Sequence, residues 1–418
     1  MSATRPKKRR VKKKPASTQL RLVVPRKDSS PKPGPGHSLK VVGLFAGIGG
    51  LELGLQRAGH KTRLLCELDP RARAVLDKHF EDVPKHDDVC TLAEIPRGTD
   101  LVTAGFPCQD LSQAGMTRGI KGSRSGLVGE VFRLLEHRRA PWVLLENVPF
   151  MLQLARGRAL EVIVGALEKL GYRWAYRVLD TRAFGLPQRR QRVFLLASLD
   201  CDPRDVLFVD EESPIKDQRS HDEVACGFYW TEGVRGLGWA VDSVPTLKGG
   251  STIGIPSPPA MLLPDGGVAK PDIRDAERMQ GFPSDWTKVV ENASRRGHRW
   301  KLVGNAVTVD VAEWIGSRLA RPGKYEAIGA GPVLPGKAWP RAAWNIGTGR
   351  YTTELSSWPV ARTGPSLLEF LKFAPEPLSV KATSGFLGRA ATGSLRFPPG
   401  FLEAVGAHLK RMQSSVAA

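Results

Sequence analysis

Reactive side chains stand at the ends of several apolar runs in this chain. Cys108 follows Leu101-Val102-Thr103-Ala104-Gly105-Phe106-Pro107, and Glu146 closes Trp142-Val143-Leu144-Leu145. Glu67 closes Leu64-Leu65-Cys66, and Gln188-Arg189-Arg190-Gln191-Arg192 leads into Val193-Phe194. A cysteine thiolate is a nucleophile, and a carboxyl group within its reach is a candidate general acid. Taken alone, a single cysteine is more often a buried core residue. A carboxyl group at the end of a buried strand is different, because its desolvation is unfavourable unless it is paired or used. Strand alternation places Arg190 and Arg192 on one face, although a run of arginines is also an ordinary way to begin a strand.

The elements that must position these groups follow from periodicity. Strands are expected over 41–45, 63–68, 101–104, 142–146, 173–179 and 192–197, with helices over 51–59, 70–80, 129–139 and 153–170. This alternation implies an α/β fold, a Rossmann-like doubly wound sheet, mostly parallel, with helices on both faces. In such a sheet Glu67, Cys108 and Glu146 share the carboxyl edge, where open α/β folds bind ligands. The turn Gly47-Ile48-Gly49-Gly50 lets backbone approach a ligand at a helix N-terminus. It misses the dinucleotide fingerprint because Glu52 stands in the third glycine's place, so it suits a nucleoside without a pyrophosphate. Glu67 occupies the usual seat of a carboxylate that accepts ribose hydroxyls.

Composition narrows the classes further. No apolar run approaches the roughly 20 residues of a membrane span, and no apolar segment follows the basic N-terminus as in a secretory signal. The five cysteines are never spaced Cys-x-x-Cys, and the eight histidines make no ligand-spaced pairs. A disulfide framework and a metal site are therefore not expected, and a reducing cytoplasm is. The net charge of +20 is uneven: residues 1–40 hold 13 Lys/Arg against one Asp, and 321–418 hold 12 against five acids. Residues 198–270 reverse it, with six Lys/Arg against 12 acids. Basic ends suggest a polyanion partner or a merely solvated tail. The expected organisation is a disordered basic tail (1–39), a catalytic and cofactor domain (40–197), a recognition region (198–270), helices completing the catalytic domain (271–325) and a C-terminal extension (330–418). In the extension only a helix over 401–412 is legible.

Six motifs occur in order: Phe45-x-Gly47-x-Gly49-Gly50, Pro107-Cys108-Gln109, Glu146-Asn147-Val148, Gln188-Arg189-Arg190-x-Arg192, Gln280-Gly281-Phe282-Pro283 and Gly304-Asn305-Ala306-Val307. Together they resemble the cytosine-C5 DNA methyltransferases, over roughly residues 40–320. The resemblance implies S-adenosylmethionine over the glycine turn, contacted by Phe45, Gly47, Gly49 and Pro107, with its ribose on Glu67 and its adenine amine on Asp88. Asp87-Asp88-Val89 departs from the family's Gly-Asp-Ile. It implies Cys108 adding to C6 of a flipped cytosine, Glu146 protonating N3, and Arg190 and Arg192 on the base carbonyl or neighbouring backbone. Gln109, Ser112 and Gln188 fall to the substrate side, Asn305 closes the pocket beside Cys108, and residues 113–127 resemble a mobile loop over the base.

The implied partner is double-stranded DNA, with a monomeric, nucleoid-associated bacterial enzyme working beside a restriction endonuclease. The acidic recognition region is odd for a DNA-facing surface. The extension, with Arg341, Arg350 and Arg362, is therefore a candidate for the phosphate grip, or else packs on the recognition region. The family's transfer-RNA branch shares the catalytic residues but has a shorter recognition segment. A catalytically dead relative conflicts with intact Cys108, Glu146 and Arg192, and a nucleotide-dependent oxidoreductase conflicts with Glu52.

Overall fold

The structure, a computed structural model, describes residues 37–107, 126–234, 236–250, 258–291, 297–326, 329–333, 336 and 338–417. Cys108, Gln109, Ser112, nearly all of the basic tail and most of the loop after Ser112 lie outside the described residues.

Five strands form the parallel half of a ten-stranded sheet: β1 (Lys40–Leu44), β2 (Lys61–Cys66), β3 (Lys85–His86), β4 (Leu101–Ala104) and β5 (Trp142–Asn147), in the order β3-β2-β1-β4-β5. The order reverses between β1 and β4, which opens a crevice at their carboxyl ends. Strand alternation divides the side chains between two cores. Val42, Leu44, Val102, Ala104, Val143 and Leu145 pack on one face with the helices Leu127–His137 and Arg158–Lys169. Val41, Leu101, Trp142 and Leu144 pack on the other with the helices Gly50–Arg57 and Val309–Ala320.

The other half of the sheet corrects the expectation of mostly parallel pairing. β6 (Arg173–Asp180) and β8 (Gln191–Ser198) pair antiparallel with each other, and β8 pairs antiparallel with β5. The connection from β6 to β8 holds only a 3-10 turn and the two-residue β7 (Gln188–Arg189), too little for the crossover that a parallel pair needs. One helix expectation changes as well. The helix expected over 153–170 starts at Arg158, because Ala155, Arg156 and Gly157 all adopt positive φ. Within 271–325 the helices expected to complete the catalytic domain are Ile273–Met279, Gly297–Asn305 and Val309–Ala320.

A second, antiparallel sheet runs β10-β9-β12-β13-β17 through β9 (Cys226–Phe228), β10 (Ala240–Val241), β12 (Ala260–Leu262), β13 (Val268–Lys270) and β17 (Glu376–Pro377). Its core joins Phe228, Ala260, Leu262 and Val268 to Leu378, Phe386, Phe401 and Val405 from the C-terminal helices Val380–Thr392 and Phe401–Ala417. Buried His408 accepts the Val268 N–H and shares a hydrogen bond with the Leu378 carbonyl, stitching these pieces together. The chain beyond residue 330 thus has two destinations. One is this small domain. The other is β15 (Ala342–Asn345), which pairs with β6 on the large sheet.

Candidate active site

The crevice at the carboxyl ends of β1, β2 and β3 is built from local sequence. Phe45, Gly47 and Gly49 adopt positive φ of 54°, 56° and 83°, so β1 turns sharply into the helix Gly50–Arg57. For Phe45 this is a strained backbone, of the kind that clusters at ligand sites. A Cβ on Gly49 would stand 2.5 Å from Phe80, and one on Gly50 would stand 2.3 Å from the Val307 carbonyl oxygen. Those glycines are required by packing. A Cβ on Gly47 would meet nothing within 4 Å, so Gly47 borders open space.

Glu67 accepts the backbone N–H of Gly47 at 2.7 Å and that of Asp69 at 2.8 Å. Burial pushes its carboxyl upward against those two hydrogen bonds. Asp88, at the end of β3, accepts the Cys90 N–H at 2.9 Å. The turn follows β1, Glu67 follows β2 and the half-buried Asp88 follows β3, so all three stand at the carboxyl edge of the parallel sheet.

Glu52, which excluded a dinucleotide site on sequence grounds, is wholly buried beneath that turn. It accepts from the Thr103 hydroxyl at 3.0 Å, and a Cβ on Gly43 would stand 2.3 Å from its Oε1. Its Oε2 has no hydrogen-bond partner among the described residues, and burial raises the carboxyl to about 7.

The second half of the site lies at the ends of β4, β5 and β8. Glu146 is 8% exposed and pairs with Arg192 Nε at 3.1 Å. Burial pushes its carboxyl above the ordinary range, and the charges of Arg192 and then Arg190 pull it back. The result is an acid that holds a proton more readily than a surface glutamate. A Cβ on Gly105 would lie 3.4 Å from Glu146 Oε2, so the carboxyl stands against the strand end that runs on to Pro107. Asn147 fixes that juxtaposition by donating from Nδ2 to the Phe106 carbonyl at 3.0 Å. Its neighbourhood in Glu146-Asn147-Val148 was legible, but its bracing role was not, because it depends on β4 lying beside β5.

Two expected substrate residues have other duties. Arg190 is 1% exposed and donates to the carbonyls of Leu247, Gly304 and Ala306. It ties the start of β8 to the loop after β11 (Val244–Pro245) and to the Gly304-Asn305 turn. Gln188 is fully buried, donates to Met279 O and Gln280 Oε1, and accepts the Leu247 N–H. The expectation that Gln188 touches substrate gives way, since its carboxamide is committed to protein groups. Asn305 is exposed at the end of its helix, against Gly249, where a Cβ would stand 2.3 Å from Asn305 Oδ1.

A cavity of about 430 Å³ opens beside Arg192, lined by Pro149, Arg189, Gln191, Arg192 and Thr246. Sequence reasoning missed Pro149 and Thr246, and Arg189 was visible only as the least patterned member of its arginine run. No cluster of three metal-ligating side chains occurs among the described residues, and no helix among them is long and apolar enough to cross a membrane.

The family model for C-5 cytosine-specific DNA methylase matches residues 39–230 and 270–321. The chain is 50% identical over 366 residues to the Type II methyltransferase M2.BsuMI of Bacillus subtilis (strain 168), spanning 84% of this chain and 93% of that protein. It is 28% identical over 313 residues to the Type II methyltransferase M.DsaV of Dactylococcopsis salina, spanning 67% and 86%. Among solved structures, S. pombe Dnmt2 methyltransferase shares the fold with a TM-score of 0.50 at 19% identity, over 67% of this chain and 98% of that one.

Proposed function

The chain belongs to the C-5 cytosine-specific DNA methylases, and from that premise we propose how it acts: it methylates C5 of a cytosine within a specific short duplex site, through a covalent adduct of Cys108 with a flipped-out base. It is a DNA cytosine-5-methyltransferase of restriction–modification type. By this reading it protects DNA from a cognate endonuclease and works as a monomer in the bacterial cytoplasm, on the nucleoid.

S-adenosylmethionine supplies an electrophilic methyl group when bound, and the residues present fit it. Glu67 offers carboxylate oxygens for ribose hydroxyls, Asp88 an acceptor for the adenine amine, and Phe45, Gly47, Gly49 and Pro107 the backbone wall. The remaining steps fall to protein side chains. The Cys108 thiolate adds to C6, because C5 of cytosine is otherwise too weak a nucleophile. Glu146 gives its proton to N3 as electron density moves into the ring, and Arg192 holds the Glu146 carboxylate that results. C5 then takes the methyl group. Loss of the C5 proton to a base, expulsion of the Cys108 thiolate and return of the N3 proton to Glu146 restore the aromatic ring, so that one methyl replaces one proton. Arg190 acts as a positioning residue through its three carbonyls, and Asn305 closes the pocket.

The observation that carries this reading is the buried Glu146–Arg192 pair against the strand end leading to Pro107, one strand away from the glycine turn. Tritium transfer from labelled S-adenosylmethionine to duplex DNA, with transfer RNA as the competing substrate, tests it. Cys108→Ser should abolish transfer and leave cofactor binding intact. Transfer to RNA alone, or full activity in the Cys108→Ser protein, would overturn the reading.

A further inference from the structure

The three arginines of the C-terminal extension have different fates. Arg350 is engaged by Glu161 and Glu168. Arg362 lies over the Phe184 ring at 5.6 Å, with its backbone N–H on the Ala183 carbonyl. Arg341 is exposed and has no carboxylate partner among the described residues. Its backbone is held beside β6, where the Val178 N–H donates to the Arg341 carbonyl at 2.9 Å. Its guanidinium donates to Gln191 Oε1 at 3.0 Å, and Gln191 is held from behind by its own bond to Asp180. Gln191 is a wall of the cavity beside Arg192.

Arg189 lines the same cavity. It too is exposed and has no ion-pair partner among the described residues. Its backbone is fixed by β7 pairing with β11 and by the Thr246 hydroxyl, which donates to the Arg189 carbonyl at 2.8 Å. Partial burial of its guanidinium and the charge of Arg182 work against its cationic form, offset in part by Tyr229 and Asp180. Two carboxylates stand near this mouth and both are engaged, Glu146 with Arg192, and Asp180 with Arg182 and the Gln191 carboxamide. Arg189 lines the cavity and Arg341 is one hydrogen bond from its Gln191 wall, and neither guanidinium has an ion-pair partner among the described residues. An oxyanion with several acceptor lone pairs is the ligand that meets them, and arginine's planar fork suits a phosphate.

We propose that Arg341, carried on β15, and Arg189 clamp the DNA phosphodiester adjoining the flipped nucleotide, so that the C-terminal extension takes part directly in holding substrate at the catalytic mouth. Arg341 lies outside both segments matched by the family model. Arg189 lies inside the first of those segments, so the grip joins a residue of the family domain to one of the extension. The inference rests on the cavity admitting a nucleotide of duplex DNA, as proposed above.

The test uses the full-length protein and a duplex carrying the methylated site, identified beforehand by bisulfite sequencing of DNA from expressing cells. Arg341→Gln, Arg189→Gln and the double variant are compared with Arg396→Gln, an exposed arginine elsewhere in the extension. DNA affinity is measured against KCl concentration. Each clamp variant should reduce the log–log salt slope by about 0.9, and the double variant by about 1.8. KM for DNA should rise about tenfold with kcat nearly unchanged, the pattern of lost uniform binding. Arg396→Gln should retain the wild-type KM. A methylphosphonate replacing the phosphate beside the target cytosine should weaken binding by the wild type and leave Arg341→Gln little further affected. A wild-type slope and KM in Arg341→Gln, or an equal methylphosphonate effect in both proteins, would sink the clamp. A wild-type enzyme that transfers nothing to DNA would overturn the function reading, and the clamp with it; that failure is distinguishable because it appears before any substitution is made.

Discussion

The two halves of the site are built in different ways. The proposed cofactor half takes most of its residues from one stretch, 45–88, with Pro107 beside it, and only a few contacts, such as Trp286 on the Ile48 carbonyl and Val307 against Gly50, reach it from afar. The base half gathers Glu146, Arg192 and the Arg190 clamp, and it leans on Leu247, Gly304 and Ala306 from distant parts of the chain. The difference teaches where each function is vulnerable. A local half tolerates damage to the small domain. A half assembled from remote segments should lose its geometry when any one of them shifts.

The largest effect should come from the chemistry of the base half itself. Glu146→Gln keeps the shape but removes the ionisable proton, and transfer should fall by about 10²- to 10⁴-fold in single-turnover assays. Cofactor affinity, measured by calorimetry, should be unchanged. A comparable loss of cofactor binding would erase the distinction between the halves.

Next comes the remote support. Phe401 is fully buried and meets Phe228 edge-on at 5.0 Å, with Phe386, Phe397 and Trp239 around it. Phe401→Ala should destabilise the small domain by about 3–5 kcal/mol. Hydrogen exchange should then rise in β9, β12 and β13, and DNA affinity should drop, while S-adenosylmethionine still binds. Uniform exchange across both sheets would show instead that the two domains unfold as one.

The smallest effect is a pH dependence seated in the local half. The Glu52 carboxyl, raised to about 7, binds its proton more tightly folded than unfolded. Its contribution to stability is therefore full below its ordinary value of 4.5 and is lost as pH rises through about 7. Glu52→Gln, neutral at every pH, should exceed the parent in stability at pH 8 by roughly 1–3 kcal/mol, with the gap closing towards pH 5. Parallel Tm profiles for the two proteins would rule out Glu52 as the origin.

Legibility followed the same division. The turn at Gly47, Glu67, Glu146 and Arg192 were all readable, because each closes or opens an apolar run and strand ends are set by local alternation. Gln188 and Arg190 looked equally functional in sequence, yet one is wholly buried and the other is held by carbonyls from residues 247–306. Nothing local distinguishes an arginine aimed at substrate from one aimed at distant backbone. The extension was opaque for a related reason. Its strands are two to four residues long, too short for a period to show, and β17 exists only because β13 offers a partner.

What the amino-acid sequence determined alone was the set of groups available for chemistry: a thiol after Pro107, an acid and an arginine at strand ends, and a glycine turn that misses the dinucleotide fingerprint. Those properties reside in residue type and short spacing. The tertiary structure decided which of three arginines in the extension bonds to a wall of the cavity, which of the motif residues are struts, and that the C-terminal helices complete the small domain. Long-range strand pairing and burial determine those outcomes, and neither is encoded within a window of neighbouring residues.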